Sequence, residues 1–202
     1  MVTHTASLLS MMSFAAGTFA AGASTSPQYM TFQPTVGVPN NILPLIIYPQ
    51  VVPEEVEDIA AYFETQFGRH QWPPRWRYHV FPYTHYHPNT HELLGVSAGW
   101  AQILFGGETG RAVTVYAGDA VLIPAGVGHQ QLAASEDFFA VGAYPTGMEP
   151  DTKRDDPADV TPSLSKIAKV PLPPFDPITG EEGAVTEIWH PLAHHQADGP
   201  KE

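Results

Sequence analysis

Short apolar runs separated by turn residues dominate the chain between residues 76 and 143. Runs of this length, rich in β-branched and aromatic residues, predict strands, and the glycines between them predict turns. The predicted strands are Trp76–Tyr83, Glu92–Ser97, Trp100–Phe105, Ala112–Tyr116, Ala120–Ile123, Gln130–Ala133 and Phe138–Ala143. Many short strands at this spacing are typical of a β-sandwich or β-barrel.

Two elements are predicted ahead of these strands. Ile42–Tyr48 is apolar and predicts a buried strand or an edge segment, with Pro44 favouring the edge. Pro53–Phe67 repeats apolar residues at helical spacing and carries acidic residues in its first turns, with Gly68 as its C-terminal cap, so it predicts an amphipathic helix on the outside of the barrel. Beyond Pro145 the chain is polar and proline-rich and predicts a wrapping loop, with Val185–Trp189 as a last strand.

Length and composition narrow the class of protein. The chain has 202 residues, which suits one domain, and a hydrophobic content of 43%. Its net charge of −12 argues against nucleic acids and anionic membranes as partners. Because there is no cysteine, disulfides, thiolate metal sites and cysteine nucleophiles are excluded.

The ends of the chain differ from its middle. Residues 1–26 contain no Lys, Arg, Asp or Glu, and we interpret 1–34 as an N-terminal extension, disordered or signal-like. We expect the domain to span 35–190 and a polar tail to cover 191–202. The expected location is the cytoplasm, or outside the cell if residues 1–23 are a cleaved signal peptide; a misplaced start codon is the other reading of this segment.

The segment from Tyr83 to Gly99 carries the candidate chemistry. His85 and His87 are two residues apart, so on a strand both side chains point to the same face. Pro88-Asn89 predicts a break, after which Glu92 can return towards the two imidazoles. Two imidazoles and a carboxylate are ligands of many non-haem metal sites.

This segment and a second one resemble the two motifs of the cupin superfamily. The first motif is matched by His85, His87, Glu92 and Gly99, and the second by Gly118, Pro124, Gly126 and His129. His79 and Ala133 stand where the family has Gly and Asn. The resemblance implies an all-β cupin double-stranded β-helix, a jelly-roll barrel with one or two peripheral helices. It also implies a metal held by His85, His87, Glu92 and His129.

A closer resemblance is to the single-domain, YjlB-type cupins of the RmlC-like group. It rests on VPNN at 38–41, HYHPNTHELLGV at 85–96, AGVGHQ at 125–130, VGAYP at 141–145 and VPLP at 170–173. Cupins commonly dimerise through barrel edges, so we expect a homodimer, with Ile42–Tyr48 as the apolar edge.

Three imidazoles and a carboxylate suit one divalent transition metal, Fe, Mn, Ni, Zn or Cu. Open positions on such a metal indicate a small-molecule substrate and an enzyme of the O₂-dependent dioxygenase type, or an isomerase or decarboxylase. The alternative is a non-catalytic, metal-dependent binding or sensing cupin. Tyr83 shares the face of His85 and is the predicted catalytic residue, either as a proton donor or as a hydrogen-bond partner of a metal-bound ligand. His91 is predicted to face away, and Arg75 and Arg77 either anchor a substrate carboxylate or are exposed charges.

The predicted pocket lining comes mainly from the apolar strands. It comprises Tyr83, Ile103, Phe105, Val121, Ile123 and Phe139, with Trp100 and Tyr144 near the mouth. For most of these residues, a place in the barrel core is the simpler interpretation.

Overall fold

Two antiparallel sheets organise residues 26–197, the part of the chain that the computed structural model describes. The strands are β1 Gln28–Met30, β2 Leu45–Tyr48, β3 Pro74–Tyr78, β4 His85–Tyr86, β5 Glu92–Ala98, β6 Trp100–Phe105, β7 Arg111–Tyr116, β8 Ala120–Ile123, β9 His129–Ala134, β10 Phe139–Ala143 and β11 Lys153–Arg154. The helices are α1 Ile59–Arg69, α2 Pro157–Ile167, a π-helix at Val185–Trp189 and α3 His190–Ala197.

The strand order is that of a jelly-roll barrel. The six-stranded sheet runs β1-β2-β8-β5-β10-β3 and the five-stranded sheet runs β11-β4-β9-β6-β7. Apolar side chains from both sheets pack into one core, since burying them removes their surface from water. That core includes Leu45, Leu94, Val96, Ile103, Phe105, Val121 and Ile123. The predicted all-β cupin jelly roll is confirmed.

The six-stranded sheet is buried on its outer face as well. There, Ile46, Leu93, Leu122 and Val141 pack against Phe63 and Phe67 of α1 and against Trp189 of the π-helix. A sheet covered on both sides needs apolar residues at successive positions, which explains the unbroken apolar runs of β2 and β8.

Strand β2 is a buried interior strand, so of the two predictions for Ile42–Tyr48 the buried strand is correct and the edge segment that Pro44 favoured is wrong. It pairs with β8 on one side and with β1 on the other. Residues 1–34 were predicted to be an extension outside the domain. Strand β1, Gln28–Met30, lies within that range and nevertheless pairs with β2 in the sheet. The homodimer remains a prediction, but β2 is not available as its edge. Residues 1–25, including the proposed signal peptide, lie outside the described part.

Helix α1 begins at Ile59, six residues later than predicted. The Asp58 side chain accepts a hydrogen bond from the Ala61 amide at 3.0 Å and caps the helix there. The acidic residues between 54 and 57 therefore precede the helix and do not form its first turns. At the other end, His70 is the capping residue, and Gly68 lies inside the helix.

The segment after Pro145 is more ordered than a wrapping loop. It contains β11 and α2, and α2 begins with the Asp156 side chain capping the Ala158 amide at 2.9 Å. Val185–Trp189 is a π-helix, so the predicted last strand is wrong. α3 occupies part of the predicted polar tail. Trp189 anchors this segment through its indole N–H, which donates to the Pro44 carbonyl at 2.9 Å.

Candidate metal centre

Strand pairing places His85 and His129 side by side. They are direct partners in the antiparallel ladder between β4 and β9, and their ring centroids are 4.1 Å apart. Cross-strand partners point to the same face of a sheet, here the interior of the barrel. Both side chains are almost fully buried, with 3% and 2% of their surface exposed.

The turn after β4 carries the chain from the five-stranded sheet to the six-stranded sheet. His87 precedes this turn, and Glu92 follows it as the first residue of β5. Asn89, in the predicted break, is held by hydrogen bonds to the backbone of Glu149 and Asp151. The Glu92 carboxylate therefore approaches the histidines from the opposite sheet, and its Oε2 lies 3.1 Å from His87 Nε2 and 2.8 Å from His129 Nε2.

All three imidazoles are oriented by backbone carbonyls. The Nδ1–H of His85 donates to Tyr83 at 3.0 Å, that of His87 to Asp151 at 2.7 Å, and that of His129 to Val127 at 3.0 Å. A carbonyl only accepts, so each Nδ1 carries the proton. In the neutral rings each Nε2 is consequently a free lone pair, which is the form that binds a metal.

The four side chains converge on one point. One donor atom from each of His85, His87, Glu92 and His129 lies within 4.8 Å of the others. His129 Nε2 is buried and has no hydrogen-bond partner, although it lies close to the Glu92 carboxylate. Lone pairs facing a carboxylate in a buried space are unfavourable unless a cation lies between them. The donor set therefore fits a divalent metal, and the group is positioned to bind one.

Burial and the charges of neighbouring groups shift the pKa values of three of the four donor residues. Burial and the neighbouring His129 ring lower the pKa of His85 to about 3, so this ring is neutral near pH 7. Burial acts to raise the pKa of Glu92, but the His87 and His129 imidazoles outweigh it and hold that pKa well below its usual range. Burial acts to lower the pKa of His87, but the Glu92 carboxylate outweighs it and raises that pKa.

The second oxygen of Glu92 is held by a residue from another strand. The Tyr144 hydroxyl donates to Glu92 Oε1 at 3.2 Å and accepts the indole N–H of Trp76 at 3.1 Å. Burial and the nearby Glu92 carboxylate raise the pKa of Tyr144, so it remains a protonated donor. This chain of hydrogen bonds leaves Glu92 Oε2 directed at the histidines.

A cavity of about 270 Å³ opens next to the donor atoms. Beyond the four donors it is lined mainly by aromatic and apolar side chains: Trp76, Tyr78, His79, Val80, Phe81, Tyr144, Pro150 and Thr152. Of the predicted lining residues, Tyr144 is present, whereas Ile103, Phe105, Val121 and Ile123 belong to the barrel core. The period-two pattern of Trp76, Tyr78 and Val80, just before the histidine motif, was the sequence signal for the wall that the prediction missed.

The remaining predicted residues lie outside the cluster. The Tyr83 ring stacks on Phe81 and is covered by Arg154, whose guanidinium carbon is 3.4 Å from the ring centroid. Its role as proton donor stays a prediction, and the hydroxyl that contacts a donor residue is that of Tyr144. Arg75 pairs with Glu149 and Arg77 pairs with Glu64, so both are surface charges.

His91 faces away from the cluster, as predicted, but it is buried and not on the surface. Its Nδ1 accepts the Ala125 amide N–H at 2.9 Å, and its ring lies 4.7 Å from that of Trp189. Burial lowers the pKa of His91 to about 3. The residue therefore joins the barrel to the C-terminal segment and takes no part in the cluster.

Between residues 26 and 197, none of the helices is both long and apolar enough to cross a membrane.

Comparisons with known proteins agree with this geometry. The cupin family model matches residues 83–165, which include all four donor residues. The chain is 42% identical over 153 residues to the "Uncharacterized protein YjlB" of Bacillus subtilis (strain 168), covering 75% of this chain and 90% of that protein.

Solved structures with detectable similarity include two proteins at lower identity. Pumpkin seed globulin is 23% identical with a TM-score of 0.30, over 39% of this chain and 20% of its own length. RmlC from Streptococcus suis in complex with dTDP-D-xylose is 14% identical with a TM-score of 0.32, over 62% of this chain and 73% of that chain. The family match and the 42% identity, which extends over most of both proteins, decide the assignment: the chain belongs to the cupin family.

Proposed function

We propose that this cupin is a metal-dependent enzyme that acts on a small molecule, with O₂-dependent dioxygenase-type chemistry. The observation that carries the proposal is the convergence of donor atoms from three imidazoles and one carboxylate in the lining of a cavity. His85, His87, Glu92 and His129 would hold one divalent metal, Fe, Mn, Ni, Zn or Cu. When bound, such a metal supplies a Lewis acid with open positions for a substrate or O₂.

The protein side chains have separate tasks in this proposal. Tyr144 lies in the cavity wall and fixes the orientation of Glu92 by donating its hydroxyl proton to Oε1. The backbone carbonyls that accept from each Nδ1–H hold the imidazoles in the donor tautomer. The aromatic wall gives a bound molecule an apolar surface. Tyr144 is therefore assigned to positioning Glu92, and proton donation by Tyr83 stays a prediction.

Metal analysis followed by O₂ uptake tests the proposal. The full chain, purified without added metal, is analysed for metal content, reloaded with each candidate metal, and assayed with small carboxylates, phenols and sugars. About one metal per chain together with O₂ uptake for one substrate class supports the enzyme. Metal binding without turnover of any compound favours the non-catalytic binding protein, and a chain that retains no metal contradicts both.

A further inference from the structure

We infer that the molecule bound in this cavity has a flat, apolar body without a second charge, and a single anionic oxygen such as a phenolate or enolate. The inference rests on the proposed function, because that oxygen would approach the metal. It is carried by the composition of the cavity wall and by the positions of the surrounding arginines.

The wall offers contact surface and few polar groups. Trp76, Tyr78, Val80, Phe81 and Pro150 provide aromatic and aliphatic surface around the donor atoms. Outside the four donors, the polar groups are the Tyr78 and Tyr144 hydroxyls, the Trp76 indole, His79 and Thr152. The Trp76 indole and the Tyr144 hydroxyl are already engaged with each other and with Glu92. A sugar, with hydroxyls around its ring, would lose hydration here without enough partners.

Positive side chains close to the cavity are turned to other partners. Arg77 forms two hydrogen bonds to the Glu64 carboxylate at 2.6 and 3.0 Å, and Arg75 contacts Glu149 at 2.7 Å. The Arg154 guanidinium lies over the ring of Tyr83, which is not among the residues that line the cavity. Among the lining residues that the structure describes, there is no Lys or Arg. A phosphate or second carboxylate would therefore be desolvated without a counter-charge.

The charge of the site itself leaves room for one anion. A dication and the ionised Glu92 sum to a single positive charge, which one phenolate or enolate oxygen balances. The volume of about 270 Å³ lies just below the ordinary range for ligand pockets, about 300–1,000 Å³, and suits a compact molecule. Aromatic side chains favour stacked or edge-on contact with another ring, so a planar body fits the wall best.

The test uses the full chain loaded with zinc, which is redox-silent, and 4-nitrophenol, whose single phenolate oxygen makes it a coloured probe. Zinc content is measured first, and the probe is then titrated and followed by its absorption. Two competitors differ from the proposed ligand: glucose 6-phosphate has a polar sugar ring and a phosphate, and malonate has two carboxylates and no ring. We expect 4-nitrophenol to bind and neither competitor to displace it at equal concentration.

A variant pair separates the wall from the metal. Phe81→Ala removes a ring from the cavity wall and should weaken the binding of 4-nitrophenol about fivefold without changing the zinc content. Tyr116→Ala removes an exposed ring that does not line the cavity and should change neither quantity.

Two failures are distinguishable. A chain without bound zinc contradicts the proposed function itself. A zinc-loaded chain that prefers malonate or glucose 6-phosphate, or whose probe affinity is the same with and without the Phe81 ring, overturns only the inference about the ligand.

Discussion

At the scale of single residues, Glu92 is the most constrained side chain of the site. It is 4% exposed and remains ionised because two imidazoles face one oxygen and the Tyr144 hydroxyl donates to the other. The Tyr144 hydroxyl satisfies only Oε1, and Oε2 faces the Nε2 atoms of His87 and His129, where a bound cation would balance the buried negative charge.

Replacing any one of His85, His87, Glu92 or His129 by Ala should weaken metal binding at least about 100-fold, because each supplies one donor atom of the cluster. The control is His91→Ala. It should lower the free energy of unfolding by about 1–3 kcal/mol, since it leaves the Ala125 amide unpaired, while the folded variant keeps its metal. Metal content per folded chain and chemical denaturation measure the two effects. Full metal content in all four donor variants would refute the assignment.

Tyr144→Phe should weaken metal affinity about tenfold and alter the visible spectrum of the Co(II)-loaded protein, because Glu92 Oε1 loses its hydrogen bond. Tyr83→Phe is the matched control: its ring packs on Phe81 beneath Arg154, so the spectrum should stay the same. A spectrum that changes for Tyr83→Phe and not for Tyr144→Phe would restore Tyr83 as the relevant phenol.

Metal affinity should fall as the pH is lowered, and His87 should dominate that fall. Its raised pKa means that, in the metal-free protein, a proton on Nε2 competes with the metal at a higher pH than for an ordinary histidine. His85, with a pKa of about 3, contributes no competition near neutrality. Zinc affinity, measured by chelator competition, should drop about tenfold per pH unit below the pKa of His87. A constant affinity from about pH 8 to about pH 6 would contradict this role.

At the scale of elements, the contact between α1 and β5 supports the strand that begins with Glu92. Gly95 lies under the ring of Phe63, and a Cβ added there would be 2.6 Å from a ring carbon. The absence of a side chain at this position allows the helix to pack closely on the sheet. The position of the carboxylate thus depends on a helix whose own residues never reach the site.

Gly95→Ala should therefore lower the free energy of unfolding by about 1–3 kcal/mol, because the added methyl group displaces Phe63. Gly68→Ala, in helix α1, is the control and should have the opposite effect on stability. It lies inside α1 with no atom within 4 Å of the added Cβ, so it should raise stability by up to about 1 kcal/mol. Thermal and chemical denaturation of both variants measure the difference. Equal effects of the two substitutions would show that the helix does not press on β5.

At the scale of the whole molecule, the metal would join the two sheets. His85 and His129 belong to the five-stranded sheet, whereas Glu92 belongs to the six-stranded sheet. A ligand that binds only the folded chain stabilises it by mass action. Metal removal should consequently weaken the contact between the two sheets where β4 and β9 face the start of β5.

A chelator should lower the melting temperature of the metal-loaded protein. The corresponding loss of stability is about 3 kcal/mol when free metal had been about 100-fold above its Kd. A Glu92→Ala, His129→Ala double variant should melt at the same temperature with and without chelator, because it has no site to empty. A chelator effect of equal size in both proteins would assign the loss to something other than this cluster.

The local sequence pattern predicted the strands between Glu92 and Ala143, and the resemblance to the cupin motifs supplied the four donor residues, whose placement the local pattern explains. Period two places His85 and His87 on one face, the break at Pro88-Asn89 returns the chain to Glu92, and glycine turns lead to His129. The apolar stripe of α1 was also predictable, although its start was not, because the Asp58 cap overrode the acidic residues before it. These features depend on neighbours within a few residues along the chain.

Only the tertiary structure decided what surrounds the donors. Tyr144 meets Glu92 from 52 residues away, and the Asp151 carbonyl orients His87 from 64 residues away. Val185–Trp189 was predicted as a strand. In the structure it is a π-helix, and its buried residues Val185 and Trp189 pack in the cluster on the outer face of the six-stranded sheet. Contacts between distant segments leave no periodic trace in sequence, because they depend on which surfaces the folded strands leave to be covered.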